Sequence, residues 1–197
     1  NSAVIRKHLD KNDKVFHGDI FGSPFFILKD AENVPDTTMN EIAHATVCFS
    51  RAWREALYGV SAYWVLPDQV KKSAPSGEFL PKGSFTIEGQ RNFIKSETLK
   101  LAVGIIQLED NDHVLTCGPP EAIKKNSICY AIIEPNGLEM AEYAKKIRLE
   151  FLKLFEDITR KINIDEFVRA LPAGKSQIKE ISLGDLEKEN IIDNELD

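Results

Sequence analysis

The segment from Gln69 to Lys95, QVKKSAPSGEFLPKGSFTIEGQRNFIK, constrains the fold of this chain more than any other. Pro75, Gly77, Pro81, Gly83 and Gly89 punctuate it, so no helix or long strand can run through it, and the backbone from Lys71 to Ser84 is expected to turn repeatedly. Only Ser84 to Glu88 alternates as a strand does, with Phe85 and Ile87 on one side. Any fold containing this segment must present it as a loop between ordered elements. Its charge is equally distinctive. Lys71, Lys72, Lys82, Arg91 and Lys95 set five cations against two carboxylates, Glu78 and Glu88, in a chain of formal net charge -6. Phe79, Phe85 and Phe93 lie among them. Cations interleaved with aromatic rings suit phosphates and unstacked bases, which makes the five cations RNA-contact candidates. A lysine-rich loop is also what ordinary solvated surface looks like, and charge alone leaves both readings open.

The negative charge sits at the other end. Between Glu180 and Asp197 there are seven acids and one base, Lys188, which leaves 24 bases and 24 acids in residues 1–179. Like charges with few apolar residues predict a disordered acidic tail over 180–197, although Leu183, Leu186, Ile191 and Ile192 would let it fold against something. At 197 residues and 43% apolar content the remainder can bury a core, as one domain or as a domain with a small companion. No apolar run is long enough to span a bilayer, and NSAVIRKHLDKNDK has neither the apolar centre nor the cleavage region of a signal peptide, so a cytoplasmic address without membrane contact is expected. Cys48, Cys117 and Cys129 form no C-x-x-C pair, which argues against a disulfide framework and a structural zinc site and for buried thiols.

Along the chain, Val15-Phe16 and Phe25 to Leu28 read as strands flanking a polar bend, His17 to Pro24. His17 and Asp19, two apart, would share one face in extended structure, either as an acid/base pair or as a structural hydrogen bond holding the bend. Beyond Pro35, Thr38 and Glu41 are spaced as a capping box and Gly59 stands past the end of a single long helix. Its core stripe reads Ile42, Ala45, Phe49, Ala52, Ala56 and Leu57, with Trp53 beside it as a core residue or a base-stacking one, and Arg51 as the better contact candidate. Ser61 to Leu66 and Leu101 to Leu108 are strands, so the first 110 residues predict an α+β plan, a mixed sheet packed on a long helix.

A smaller α/β unit is expected over 111–179. Its strands are His113 to Cys117 and Ile128 to Ile133, followed by a turn at Asn136-Gly137, a long helix from about Leu138 to Lys161, and a last helix, Glu166 to Leu171, capped by Asp165. Ala173-Gly174-Lys175-Ser176 invites a phosphate-loop reading, but the glycine required five residues before Gly174 is Arg169, inside a predicted helix, and nucleotide hydrolysis is excluded on that spacing.

VKKSAPSGEFLPKGSF, followed by IEGQRNFI, resembles the most characteristic run of the R (RNA-binding) domain of the NFACT family. These are the ribosome-associated quality-control factors, fibronectin-binding protein A-like and nuclear export mediator factor-like, and the likeness is to the archaeal type. HGDIFGSP and SRAW are similar to two further R-domain motifs, with Phe21 standing where many relatives have a second histidine. GPPEAI and LPAGKS resemble the end of archaeal and eukaryotic-type members. The resemblance covers nearly all of residues 1–110. In the family the R domain begins earlier, with a strand and a Gly-Gly-Arg-Asp segment, so the chain is expected to be a fragment whose sheet lacks an edge strand.

The resemblance implies RNA binding without catalysis, cofactor or metal. The expected partners are ribosomal RNA or tRNA on the large ribosomal subunit holding a stalled peptidyl-tRNA, and other domains of the parent protein. Lys71, Lys72, Lys82, Arg91 and Lys95 are expected to meet phosphates, with His17, Asp19 and Arg51 in support. Two other readings remain: a module docking on acidic helices of its own parent chain, and an RNA-modifying enzyme using His17 and Asp19.

Overall fold

The computed structural model describes residues 8–71, 85–96, 98–110 and 112–188. The chain divides into two compact units, Asn1–Ala52 with Tyr58–Thr98 and Trp53–Leu57 with Leu99–Asp197. The first contains β1 (Lys14–Gly18), β2 (Phe25–Leu28), α1 (Asp36–Cys48), the start of α2 (Arg51–Glu55), β3 (Ser61–Val65), β4 (Val70–Lys71), β5 (Thr86–Ile87) and β6 (Asn92–Lys95). Four strands form a sheet in the order β2-β1-β3-β6, and β4 and β5 pair as a separate ribbon. Every pairing is antiparallel, so the α+β class holds while the expected mixed sheet is antiparallel throughout the described strands.

Period-two alternation gives this sheet two distinct faces. Phe16 and Phe26 are register partners on one face, and the ring of Phe26 lies 6.1 Å from that of Phe49 at the end of α1, so the helix covers this side. Val15, Tyr63 and Val65 form a buried cluster on the other face, covered by Leu9, Phe25, Val70 and Ile87. Phe85 and Ile87 are thus inward-facing, as their spacing predicts: Phe85 meets Phe25 edge-on at 5.8 Å.

The single long helix does not form. α1 starts at Asp36, after Pro35 as N-cap, and stops at Cys48. Ser50 breaks it: its hydroxyl donates to Val47 O at 2.6 Å and accepts from Ala52 N at 3.0 Å, ending one helix and starting the next. The buried residues of α1 include Met39, Ala43 and Val47 beside the expected Ala45, and Ala52 is buried as expected, while Leu57 is exposed.

The second unit is a four-stranded antiparallel sheet, β10-β9-β7-β8, built from β7 (Leu101–Gln107), β8 (His113–Gly118), β9 (Ser127–Leu138) and β10 (Ser176–Leu183). Its helices are α3 (Pro120–Asn126), α4 (Met140–Leu154), α5 (Glu156–Lys161) and α6 (Ile164–Ala170). β7 was expected in the first sheet, before a boundary at 110, but it bonds β8 on one side and β9 on the other. Its run from Leu101 to Ile105 is buried at every position, as a central strand covered on both faces requires. Gly104 lets α3 approach: a Cβ there would lie 2.7 Å from Ile123 Cγ2.

Residues 180–183 belong to β10, and the hydroxyl of Tyr130 donates to the Glu180 carboxylate at 2.8 Å. Residues 185–188 add a helical turn. The acidic tail therefore does not begin at 180, because Ile181 and Leu183 take places in the sheet beside Ala131 and Cys129 despite the charge around them. Residues 189–197 lie outside the described residues.

The helix expected from about 138 to 161 is two helices, α4 and α5, separated at Phe155, whose dihedrals leave the helical region. β9 runs through Asn136 and Gly137 to Leu138, with both at positive φ. The last helix is capped by Asn163 rather than Asp165: Asn163 Oδ1 accepts from Glu166 N while Glu166 Oε1 accepts from Asn163 N, each at 3.0 Å, a reciprocal box that only this spacing closes. Cys48 and Cys129 are buried and Cys117 partly so. Burial pushes the Cys129 thiol up to about 12. Among the described residues no helix is long and apolar enough to cross a membrane.

Candidate nucleic-acid interface

One register line crosses the whole first sheet in aromatic residues. Phe25 on β2 pairs with His17 on β1, His17 with Tyr63 on β3, and Tyr63 with Phe93 on β6. Successive ring centroids are 4.6, 5.8 and 5.5 Å apart. Such cross-strand contacts stabilise a sheet, but this row ends at Phe93, which is 56% exposed. Arg91 precedes β6 on the same side, with its guanidinium carbon 4.8 Å from the centre of the Tyr63 ring. Lys95 pairs with Ser61 and falls on this face two residues beyond Phe93. The face α1 leaves uncovered therefore carries a ring row bordered by two of the predicted cations.

The two described ends of the basic segment meet in a short ribbon. β4 and β5 pair Val70 with Ile87 and Lys71 with Thr86, closing the base of a hairpin. Gln69 staples this base. Its amide nitrogen donates to Glu88 O at 2.8 Å and Gln90 O at 2.9 Å, and its side-chain oxygen accepts from Leu66 N at 2.9 Å. Gly89, at φ +81, passes so close that a Cβ would stand 3.0 Å from the Gln69 nitrogen. Lys71 is thereby fixed at the root of the hairpin. Lys72 and Lys82, with Glu78 and Phe79, lie outside the described residues.

His17 and Asp19 do not form the hydrogen bond considered for them. β1 ends at Gly18, so Asp19 has left the strand, and its backbone N–H donates to Ser61 O at 2.8 Å. The bend is held by Ser23, whose hydroxyl accepts from Gly18 N at 2.8 Å. Phe21, in the same bend, is 87% exposed. Burial holds the His17 imidazole below its ordinary 6.5; nearby Arg91 adds to this, while the Gly18 and Ser23 backbone and the Asp19 carboxylate oppose it. The same burial raises the Tyr63 hydroxyl above its ordinary 10.0. A neutral imidazole, its Nδ1 3.4 Å from Tyr63 Oη, serves as a ring among rings. Arg51 is placed elsewhere, exposed at the start of α2 after the helix that covers the opposite face.

Sequence reasoning missed Phe25, Tyr63 and Gln69. Tyr63 and Phe25 each sit in an apolar strand where an aromatic reads as core, and only the register reveals that they line up. Gln69 carries no charge and had no pattern to mark it. Trp53 is core: it is 1% exposed and its indole N–H donates to Ser176 Oγ at 3.0 Å within the second unit.

A sheet face of aromatic rings edged by arginine and lysine has the form of a nucleic-acid-binding surface. The sequence pattern described as NFACT protein RNA binding domain matches residues 1–89. Residues 1–89 carry the R domain of the NFACT family, of the archaeal type. It is 35% identical over 179 residues to the archaeal Rqc2 homolog aRqcH of Methanocaldococcus jannaschii, covering 90% of this chain and 26% of that protein. It is 30% identical to the Drosophila melanogaster ribosome quality control complex subunit NEMF homolog, covering 84% of this chain and 16% of the relative. The chain thus spans about a quarter or less of these relatives' lengths. The C-terminal part of the fibronectin/fibrinogen-binding protein from Streptococcus suis, a solved structure, is 21% identical with a TM-score of 0.39, over 49% of this chain and 36% of that one.

Proposed function

We propose that this chain is an RNA-contacting part of a ribosome quality-control factor. It meets ribosomal RNA or tRNA on a large subunit holding a stalled peptidyl-tRNA, and it acts by binding rather than turnover, in the cytoplasm. The observation that supports this most is the position of Arg91 and Lys95 on the aromatic sheet face, with Lys71 on the β4–β5 ribbon that Gln69 ties to Glu88 and Gln90. The relatives are ribosome quality-control proteins several times longer than this chain, which supports a role beside further domains of a parent protein.

Phosphate contacts release condensed counterions, so log K should fall against log salt by about 0.7 per contact on single-stranded RNA, or about 3.5 for five cations. The experiment is tRNA and ribosomal-RNA affinity across a salt series for the wild type and Lys71→Ala/Lys72→Ala. The double variant should flatten the slope by about 1.4 and weaken binding alike across RNA sequences. Lys153→Ala, in the second unit, should change neither. An unchanged slope in the hairpin variant with RNA still bound would remove the hairpin from the site.

A further inference from the structure

We propose that Arg91 and Phe93 form a seat for an unpaired nucleotide, so that the RNA face selects single-stranded over duplex RNA; this rests on the RNA reading above and adds the class of RNA. The Arg91 guanidinium carbon lies over the Tyr63 ring, 4.8 Å from its centre, and Tyr63 is only 5% exposed. A ring fixed in the core lies beneath the cation, while Arg91 itself is exposed. An arginine already held against an aromatic ring loses little freedom when a base stacks on it.

Phe93, two residues on, meets Tyr63 at an interplanar angle of 61° rather than stacked on it, and stays 56% exposed. The strand itself gains little from so exposed an aromatic, and a partner with an open π-face would use it. Lys95 follows at the next position on that face. The order along the edge strand is therefore cation plane, open ring, cation, at intervals of about 6.6 Å. A duplex cannot use it. Its bases are stacked on their neighbours and it presents phosphates and sugar edges, to which a phenyl ring offers nothing. Asn92, the residue between Arg91 and Phe93, turns its side-chain amide away from this face to donate to Trp64 O, so among the described residues of β6 no side chain adds a hydrogen-bonding group between them. The seat therefore takes any base through its π-face, without strong sequence preference.

The test measures binding of an unstructured single-stranded RNA and of a duplex of the same length by the full chain, across a salt series. The single strand should bind at least about tenfold more tightly at equal salt. Phe93→Ala should lower single-strand affinity by about five- to a hundredfold, with the salt slope and duplex affinity unchanged, because a neutral ring is removed and no phosphate contact. Phe93→Trp should restore it. Arg91→Lys keeps the charge but not the plane, and should weaken the single strand while leaving the slope intact. Duplex bound as well as single strand, or Phe93→Ala without effect in a chain whose melting is unchanged, overturns the seat while leaving RNA binding standing. Failure to bind either RNA would overturn both.

Discussion

The indole N–H of Trp53 and the hydroxyl of Ser176 are joined at 3.0 Å, across 123 positions of sequence. Gly174, at φ +131, lies against the Arg54 backbone, where a Cβ would come within 2.8 Å of its Cα. The Gly-Lys-Ser string that imitates a phosphate loop is therefore a packing device for the Trp53 helix. Ser176→Ala should cost about 1 to 3 kcal/mol, because it leaves a buried N–H without its acceptor. Urea unfolding followed by tryptophan fluorescence checks this, and RNA affinity below the transition should not change. Lost RNA binding by an intact fold would return Trp53 to the contact surface.

Gln69 tests how the hairpin is positioned. Its three side-chain bonds are exposed, so Gln69→Ala should cost about 1 kcal/mol of stability. The larger effect should fall on RNA affinity, through a loosened Lys71 and Arg91. Gln69→Glu removes the donor to Glu88 O and Gln90 O while keeping the size, and should resemble the alanine variant. Wild-type affinity in both would mean that the hairpin needs no staple.

The strands of the first unit were legible because Val15-Phe16, Phe25 to Leu28 and Ser61 to Val65 are short apolar runs between turn signals. The helix break was not, because Ser50 acts through two local hydrogen bonds that leave the apolar periodicity around it undisturbed. Nor was the placement of β7, since a strand buried on both faces shows only that it is central and not which sheet it joins. At the candidate surface, charge alone marked Arg91 and Lys95 in the sequence. The aromatic row needed the pairing of His17 with both Phe25 and Tyr63, and register between strands far apart in sequence is a tertiary property.

Asp13 supplies a prediction in acid. Its side chain is fully buried and pairs with Lys29 at 2.7 Å, while its carboxylate accepts from Asp10 N at 2.8 Å and Asp30 N at 3.2 Å. Burial alone would raise its pKa, but the Lys29 ammonium and the two backbone donors outweigh it and hold the carboxyl below its ordinary 3.8. The unfolded chain therefore takes up this proton first. The stabilisation is complete above about pH 4 and is lost as pH falls through the lower folded value. Asp13→Ala should cost about 1 to 3 kcal/mol at neutral pH. The difference in melting temperature between wild type and variant should shrink only in that acid range; a gap constant down to the lowest pH would contradict the assignment.

His17 acts in a separate window. Its folded pKa lies below the ordinary 6.5, so between the two values the unfolded chain binds a proton that the native chain refuses. Stability should be flat above about pH 7 and fall on acidification from about 6.5 downward. Arg91 and Asp19 are the charged groups that bear on this ring from outside. Melting curves of wild type and His17→Gln between about pH 8 and pH 5 should diverge in slope, the variant being flatter. Parallel curves would show that the imidazole is not held neutral by the fold.

The most direct measurement is a residue-by-residue footprint: backbone amide NMR shifts of the chain titrated with a single-stranded RNA at low salt. The largest changes should fall on Arg91, Phe93, Lys95, Tyr63 and His17 and on the hairpin root at Gln69 to Lys71, with little in α4 to α6. Changes concentrated around Arg51 or within the second unit, with the β6 face silent, would contradict the assignment of the RNA surface.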